Sequence, residues 1–206
     1  MQRRESKTAA GLRLQRQMQF LVEIDKLKSV FRRTYLADGS RKENDTEHSW
    51  HFAMAVLVLA EHAAEPIDVC RTAKMALIHD LVEIDAGDVT VYDLAAREAQ
   101  KAKERAAAER IFALLPADQA TELRAVWEEF EARETPEAKF AAAIDRMQSI
   151  VLNVASGGKT WREVGVSADR VRTVNAHIAQ GSPAVWEFVQ GLVDQAVAKG
   201  YFPEKP

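Results

Sequence analysis

The chain has 206 residues, 47% of them hydrophobic and 29% charged, with a net charge of −3. That length carries one domain with a sizeable core, or two very small ones. The charge balance gives no electrostatic reason to expect nucleic acid or an anionic membrane as a partner.

The single cysteine, Cys70, excludes an internal disulfide and a cysteine zinc cluster, and it suits a reducing compartment. The opening stretch MQRRESKTAAGLRLQRQMQF has no apolar core of signal-peptide length. The longest apolar run, 52–60, falls far short of the ~20 residues a membrane span needs. A cytoplasmic location is the expectation.

In chain order, residues 1–14 are polar and basic and are expected to form a flexible tail. Met18, Leu21, Val22, Ile24, Leu27, Val30 and Phe31 recur at helical spacing and predict a helix over 15–31. Residues 34–45, with Asp38-Gly39, read as a loop. A helix starts near Asn44, Asp45 or Thr46 and runs to about Ala63. Pro66 suits the first turn of the next helix, which extends to about Asp80. A short turn over 81–86 breaks at Gly87, and a loop follows through Asp93. Helices are then expected over 95–115 and 117–132. Thr135-Pro136-Glu137 opens another, to about Ala155. The remainder predicts a turn at 161–164, a helix capped by Ser167, and a last helix from Ser182-Pro183 to Gly200. No segment alternates like a strand. The expectation is all-α: one helical bundle of about eight to nine helices over 15–206, its motif-bearing core at 18–155 and its C-terminal helices at 156–206.

The chemistry concentrates in MALIHDLVEIDAGD, residues 75–88. His79 and Asp80 are adjacent, and helix neighbours point about 100° apart. They share an ion only at a helix end, where the backbone can adjust. The alternative is a buried, hydrogen-bonded histidine beside an exposed aspartate. His48 opens the preceding helix, and bundles commonly build metal sites from facing helices. Asp145 sits in the apolar run AAAIDRM, and a buried carboxylate needs a metal or a partner such as Arg146. Glu83 alone reads equally as a solvated acid, and Asp88 after Gly87 as a turn residue.

His48, His79-Asp80 and Asp145 together resemble the metal-binding set of the HD-domain phosphohydrolase superfamily. More narrowly, the chain resembles the small branch that includes the 5′-deoxynucleotidases, through LKSVFRR, ENDTEHSW, ALIHDLVEIDAGD, VWEEFEARETPEAKF and AAIDRMQ. The resemblance covers about 18–155. It implies that His48, His79, Asp80 and Asp145 hold one divalent ion; manganese, cobalt, iron, zinc and magnesium all tolerate such ligands. It implies that Glu83 and Asp88 manage the attacking water and the leaving 5′-oxygen, with the two roles open. It implies that Arg33, fifteen positions before His48, holds the substrate phosphate, although Arg32 beside it is an alternative. Thr34 departs from the aromatic residue that follows this arginine in the branch, which leaves the nucleoside preference open.

The implied reaction is hydrolysis of deoxyribonucleoside 5′-monophosphates. The alternatives are another phosphate ester, a dNTP or cyclic dinucleotide, and a regulatory module that binds metal or nucleotide without turnover. His51 shares the face of His48 and reads as packing or an outer partner of the metal site, with a ligand of a second metal as the alternative. His62 reads as a surface residue and His177 as structural. Trp127, Phe130, Trp186 and Phe188 read as core or interface anchors. A homodimer is expected, with the last helix (Val185, Trp186, Val189, Leu192, Val193, Val197) contributing to core or interface.

Overall fold

The computed structural model describes residues 2–89, 91–92 and 94–203, with backbone alone at 2–9, 94, 95 and 97. The elements in order are α1 (Gln2–Ile24), β1 (Phe31–Tyr35), β2 (Lys42–Asn44), α2 (Asp45–Leu59), α3 (Val69–Ile78), α4 (Glu83–Ala86), α5 (Leu94–Phe112), α6 (Ala117–Ala132), α7 (Pro136–Ala155), α8 (Lys159–Val164), α9 (Ala168–Asn175), α10 (Ile178–Gly181) and α11 (Pro183–Ala198). Tight 3-10 turns occupy Asp25–Ser29, Ala60–His62 and His79–Val82. The fold is helical, as expected. Among the described residues no helix is long and apolar enough to cross a membrane.

The centre of the fold is α7. Thr135 caps it by accepting from the Ala138 amide, and Pro136 occupies its first turn. Its buried residues fall on every side, including Phe140, Ala143, Ile144, Met147 and Ile150. A helix apolar all round belongs at the middle of a bundle, and α2, α3, α6, α10 and α11 pack around it. Gly181 lets α10 approach most closely: a Cβ there would lie 2.2 Å from the Lys139 carbonyl oxygen. On α11, Val185, Val189 and Val193 are buried while Phe188 and Val197 stay exposed.

Two regions differ from the sequence expectation. Residues 31–44 contain an antiparallel hairpin, with Phe31 opposite Asn44 and Tyr35 opposite Lys42. Its inward residues on β1 are Arg32 and Thr34, so the alternation is present but polar, and a search for apolar alternation passes over it. At the start, α1 runs through most of the stretch expected as a tail. Arg13 pairs with Asp118 at 2.8 Å, and Arg16 donates to the Ala113 carbonyl at 2.7 Å.

The hairpin leads directly into α2. Asn44 is the cap there: its side chain accepts from the Glu47 amide, and Glu47 accepts from the Asn44 amide. This reciprocal capping box satisfies two backbone donors of the first turn, which carries the buried Asp45 and His48. Asp68 caps α3, two residues past Pro66.

Candidate metal centre

His48 is fully buried on the first turn of α2. At the C-terminus of α3 the chain tightens into the 3-10 turn His79–Val82. This departure from α geometry turns two sequence neighbours toward one point: His79 Nε2 lies 3.0 Å from Asp80 Oδ1. From the middle of α7, Asp145 Oδ1 reaches within 3.1 Å of His48 Nε2. The Nε2 atoms of His48 and His79 stand 3.3 Å apart.

His79 Nδ1 lies 3.0 Å from the Ala76 carbonyl oxygen. That acceptor places the ring proton on Nδ1 and leaves Nε2 as a lone pair facing His48 and Asp145, the tautomer a metal ligand needs. Phe52 and Phe130 wall the His79 ring edge-on, with centroids 5.2 and 5.1 Å away.

His48, His79 and Asp145 each offer a ligand atom, all within 4.8 Å of one another. Asp145 Oδ1 is buried without a hydrogen-bond donor. Two imidazole nitrogens and a carboxylate oxygen brought this close suit a cation, so the residues fit a divalent ion.

Arg32 projects from β1 into the same cluster. Its Nη1 lies 2.8 Å from Asp80 Oδ2 and 3.7 Å from Asp45 Oδ1, its Nε 3.5 Å from Glu43 Oε2, and its Nη2 3.8 Å from Asp145 Oδ1. Arg33 points the other way along the strand and is exposed, where it lines a neighbouring cleft with Asp88. The structure therefore brings Arg32 to the acids and leaves Arg33 at the rim.

Burial opposes ionisation throughout the cluster, and the neighbours decide each outcome. Burial, then the nearby Arg32, pushes His48 down to about 4. Burial also works against protonation of His79, but Asp80 outweighs it and raises that pKa. For Asp80 burial is overcome by His79, which holds the carboxylate down at about 2. Asp145 is held well below the usual range because Arg146 and His48 outweigh burial. Burial pushes Glu43 up to about 7, and burial with Asp80 does the same for Asp45. Glu83 rises well above its ordinary value through burial and Asp80, and Asp88 rises through burial.

The cluster opens into a cleft of about 690 Å³, its solvent-open mouth included, lined by Arg32, His79, Asp80, Glu83, Asp88 and Asp145 among others. An adjoining cleft of about 500 Å³ shares Arg32, Asp88 and Arg146 and adds Arg33, Thr34 and Tyr92. Glu83 and Asp88 thus both face the space beside the ligand cluster. His51 accepts from the Gln148 amide at 2.9 Å, one layer out. His177 is half-buried and feels Arg133, Arg146 and Asp145, so it lies nearer the centre than its sequence position implies.

Sequence reasoning passes over Glu43, Asp45 and Gln148. Asp45 reads there only as a possible cap, and Glu43 falls in an expected loop. The signal available is the acid-rich run KENDTEH beside a ligand candidate.

The family model for the HD domain matches residues 24–186. The chain belongs to the HD-domain family. A structure of a predicted metal-dependent phosphohydrolase from Magnetospirillum magnetotacticum MS-1 superposes on it with a TM-score of 0.87 at 48% identity, covering 93% of this chain and 99% of that one. The 5′-deoxynucleotidase of Bos taurus is 31% identical over 70% of this chain and 69% of its own length. The Homo sapiens 5′-deoxynucleotidase is 30% identical over 71% of each. A Pyrococcus horikoshii protein shares the fold at 20% identity, with a TM-score of 0.62. This HD-domain chain is a metal-dependent hydrolase similar to the 5′-deoxynucleotidases.

Proposed function

We propose that this HD-domain protein hydrolyses deoxyribonucleoside 5′-monophosphates to the deoxynucleoside and inorganic phosphate. The observation that carries the reading is the meeting of His48 Nε2, His79 Nε2 and Asp145 Oδ1 at one point, with Asp80 beside them and Arg32, Glu83 and Asp88 lining the same cleft. His48, His79, Asp80 and Asp145 are the ligands in this reading. A divalent ion held there supplies Lewis-acid polarisation of the phosphate and acidifies water.

The chain's own residues supply the rest. The water oxygen attacks phosphorus while the bond from phosphorus to the 5′-oxygen breaks. Glu83 and Asp88 divide two proton movements between them: taking the proton from the water and giving one to the leaving oxygen. The two arginines face the phosphate from opposite sides, Arg32 from the floor and Arg33 from the rim, and stabilise charge on its oxygens. The adjoining cleft beside Arg33, Thr34 and Tyr92 receives the nucleoside.

The relatives' printed activity and the modest cleft favour a small monophosphate over a dNTP or a cyclic dinucleotide. The lone Cys70 fits a cytoplasmic enzyme. A homodimer is part of the same reading, and the support for it moves from α11 to α2, where Trp50, Met54, Leu57 and Val58 form an exposed apolar stripe at helical spacing. Light scattering after size exclusion tests this, and a monomer at micromolar concentration refutes it.

The test of the activity is phosphate release from metal-stripped protein with single metals added back, across 5′-dNMPs, 5′-NMPs, dNTPs and cyclic dinucleotides. Release from dNMPs well above NMPs supports the proposal. Equal release removes the sugar preference. Inorganic triphosphate or linear dinucleotides as products replace the substrate class.

A further inference from the structure

The segment that follows α11 turns back onto α8. Gly200, with a φ of 67°, ends the helix, and the Tyr201 amide donates to the Ala196 carbonyl at 2.9 Å. Phe202 then stacks on Trp161, with ring centroids 4.5 Å apart and 12° between the planes. Arg162 Nη1 donates to the Gly157 carbonyl at 2.6 Å and lies 3.4 Å from the Tyr201 carbonyl oxygen. Gly158 lets the two segments touch. Its φ is 75°, and a Cβ there would lie 2.1 Å from the Tyr201 carbonyl oxygen.

This support matters because α8 has only six residues, and isolated helices shorter than about 12 residues are marginal in water. Trp161 anchors it, fully buried against Phe202. The other residues of α8 grip the hairpin. Thr160 Oγ1 donates to the Arg33 carbonyl at 3.0 Å, and Lys159 Nζ donates to the Gly39 carbonyl at 2.6 Å. The Tyr35 hydroxyl donates to Glu163 Oε1 at 2.6 Å. A two-stranded hairpin is marginal by itself, so these bonds help to set where it lies.

Of the three contacts, the Thr160 bond alone falls on the arginine pair of β1. Thr160 is buried, and it borders the adjoining cleft with Arg33 rather than the metal cleft. A directional bond to the Arg33 carbonyl fixes the peptide unit beside the carbon from which the Arg33 side chain departs.

We propose that Thr160 is a positioning residue for substrate binding: through the Arg33 carbonyl it sets where the Arg33 guanidinium meets the substrate phosphate, and segment 200–203 holds α8 in place for it. The proposal rests on the reading of Arg33 as a phosphate contact. Thr160 touches no reacting atom, so its loss changes affinity and leaves the metal centre and the chemical step alone.

The test is a double-mutant cycle on the full-length, Mn²⁺-loaded protein, read as KM and kcat for a 5′-dNMP and as Kd for inorganic phosphate by calorimetry. Thr160→Val keeps the shape and removes the donor. It is expected to raise KM and the phosphate Kd about fivefold, with kcat and Mn²⁺ affinity within about twofold. Thr160→Ser keeps the donor and is expected to hold the unaltered values. Phe202→Ala removes the stack and is expected to repeat the rise, whereas Phe202→Tyr does not. In an Arg33→Ala background Thr160→Val is expected to add nothing, because its effect passes through the missing guanidinium. An unchanged phosphate Kd in Thr160→Val overturns the proposal, as does an equal loss in Thr160→Ser or full additivity with Arg33→Ala. Where Thr160→Val does not fold, the phosphate Kd of Phe202→Ala decides in the same way. Failure of the unaltered chain to release phosphate from 5′-dNMPs refutes the substrate reading instead, and the phosphate Kd still decides this proposal.

Discussion

Arg32 Nη1 lies 2.8 Å from Asp80 Oδ2, and both side chains are about nine-tenths buried. Arg33, the next residue, is exposed on the other face of β1. Two adjacent arginines therefore have different consequences when removed. For Arg32, burial works against the charge, but Asp80, Asp145, Asp88 and Glu83 outweigh it and raise the pKa. Arg32→Ala strips a cation from a buried acid cluster, and in metal-free protein it is expected to cost about 3 kcal/mol in a urea melt.

Arg33→Ala is expected to leave stability within about 0.5 kcal/mol, as for an exposed side chain. It raises KM for the monophosphate while the fold is intact. Equal destabilisation by the two variants contradicts this division.

Gly181 carries the contact of α10 with α7, the helix that holds Asp145. A Cβ at this position meets the Lys139 carbonyl at 2.2 Å and the Ala143 side chain at 2.9 Å. Backbone cannot move aside as a flexible side chain can. Gly181→Ala is expected to destabilise by about 1–3 kcal/mol, whereas Gly191→Ala, with open space around it, is expected to be neutral or slightly stabilising. Thermal melts of the two variants decide; a neutral Gly181→Ala refutes the close approach.

Metal-free protein should show a distinctive dependence on pH. Burial raises the carboxyls of Asp45 and Glu43, each to about 7, against about 4 in an unfolded chain. A folded pKa above the unfolded one gives stability that is full below pH ~4 and is lost as pH rises through about 7. His177 acts in the opposite sense. Burial, with Arg133 and Arg146, lowers it to about 4, so its stability is full above pH ~6.5 and is lost as pH falls through about 4. Paired melts separate the two. The Tm of Asp45→Asn minus that of the unaltered chain should increase from pH 5 to 8, and His177→Gln should flatten the acid limb. A difference independent of pH contradicts the assignment.

Much of this centre is legible in the amino-acid sequence. His79, Asp80 and Asp145 stand in local contexts that draw attention, an adjacent pair at a helix end and one acid in an otherwise apolar helix, and the family resemblance joins His48 to them as a set. The buried acids Glu43 and Asp45 are not legible, because their burial is created by the hairpin and the capping box rather than by their own neighbours. The hairpin itself is hidden for a related reason: its inward residues, Arg32 and Thr34, are polar and serve the acid cluster. Helix α1 starts earlier than its pattern indicates, since its first turns show no apolar period, yet Arg13 and Arg16 tie it to the chain around 113–118.

The central claim is that one metal-dependent hydrolytic centre is built from His48, His79, Asp80 and Asp145. Its most direct test compares phosphate release from a 5′-dNMP by the unaltered chain and by Asp145→Asn and Asp80→Asn, each stripped, reloaded with Mn²⁺ and assayed for bound metal. The account predicts metal-dependent release by the unaltered chain, and at least a ~100-fold loss of kcat/KM with reduced metal affinity in both variants. Release that persists in both variants, or that is indifferent to metal removal, contradicts it.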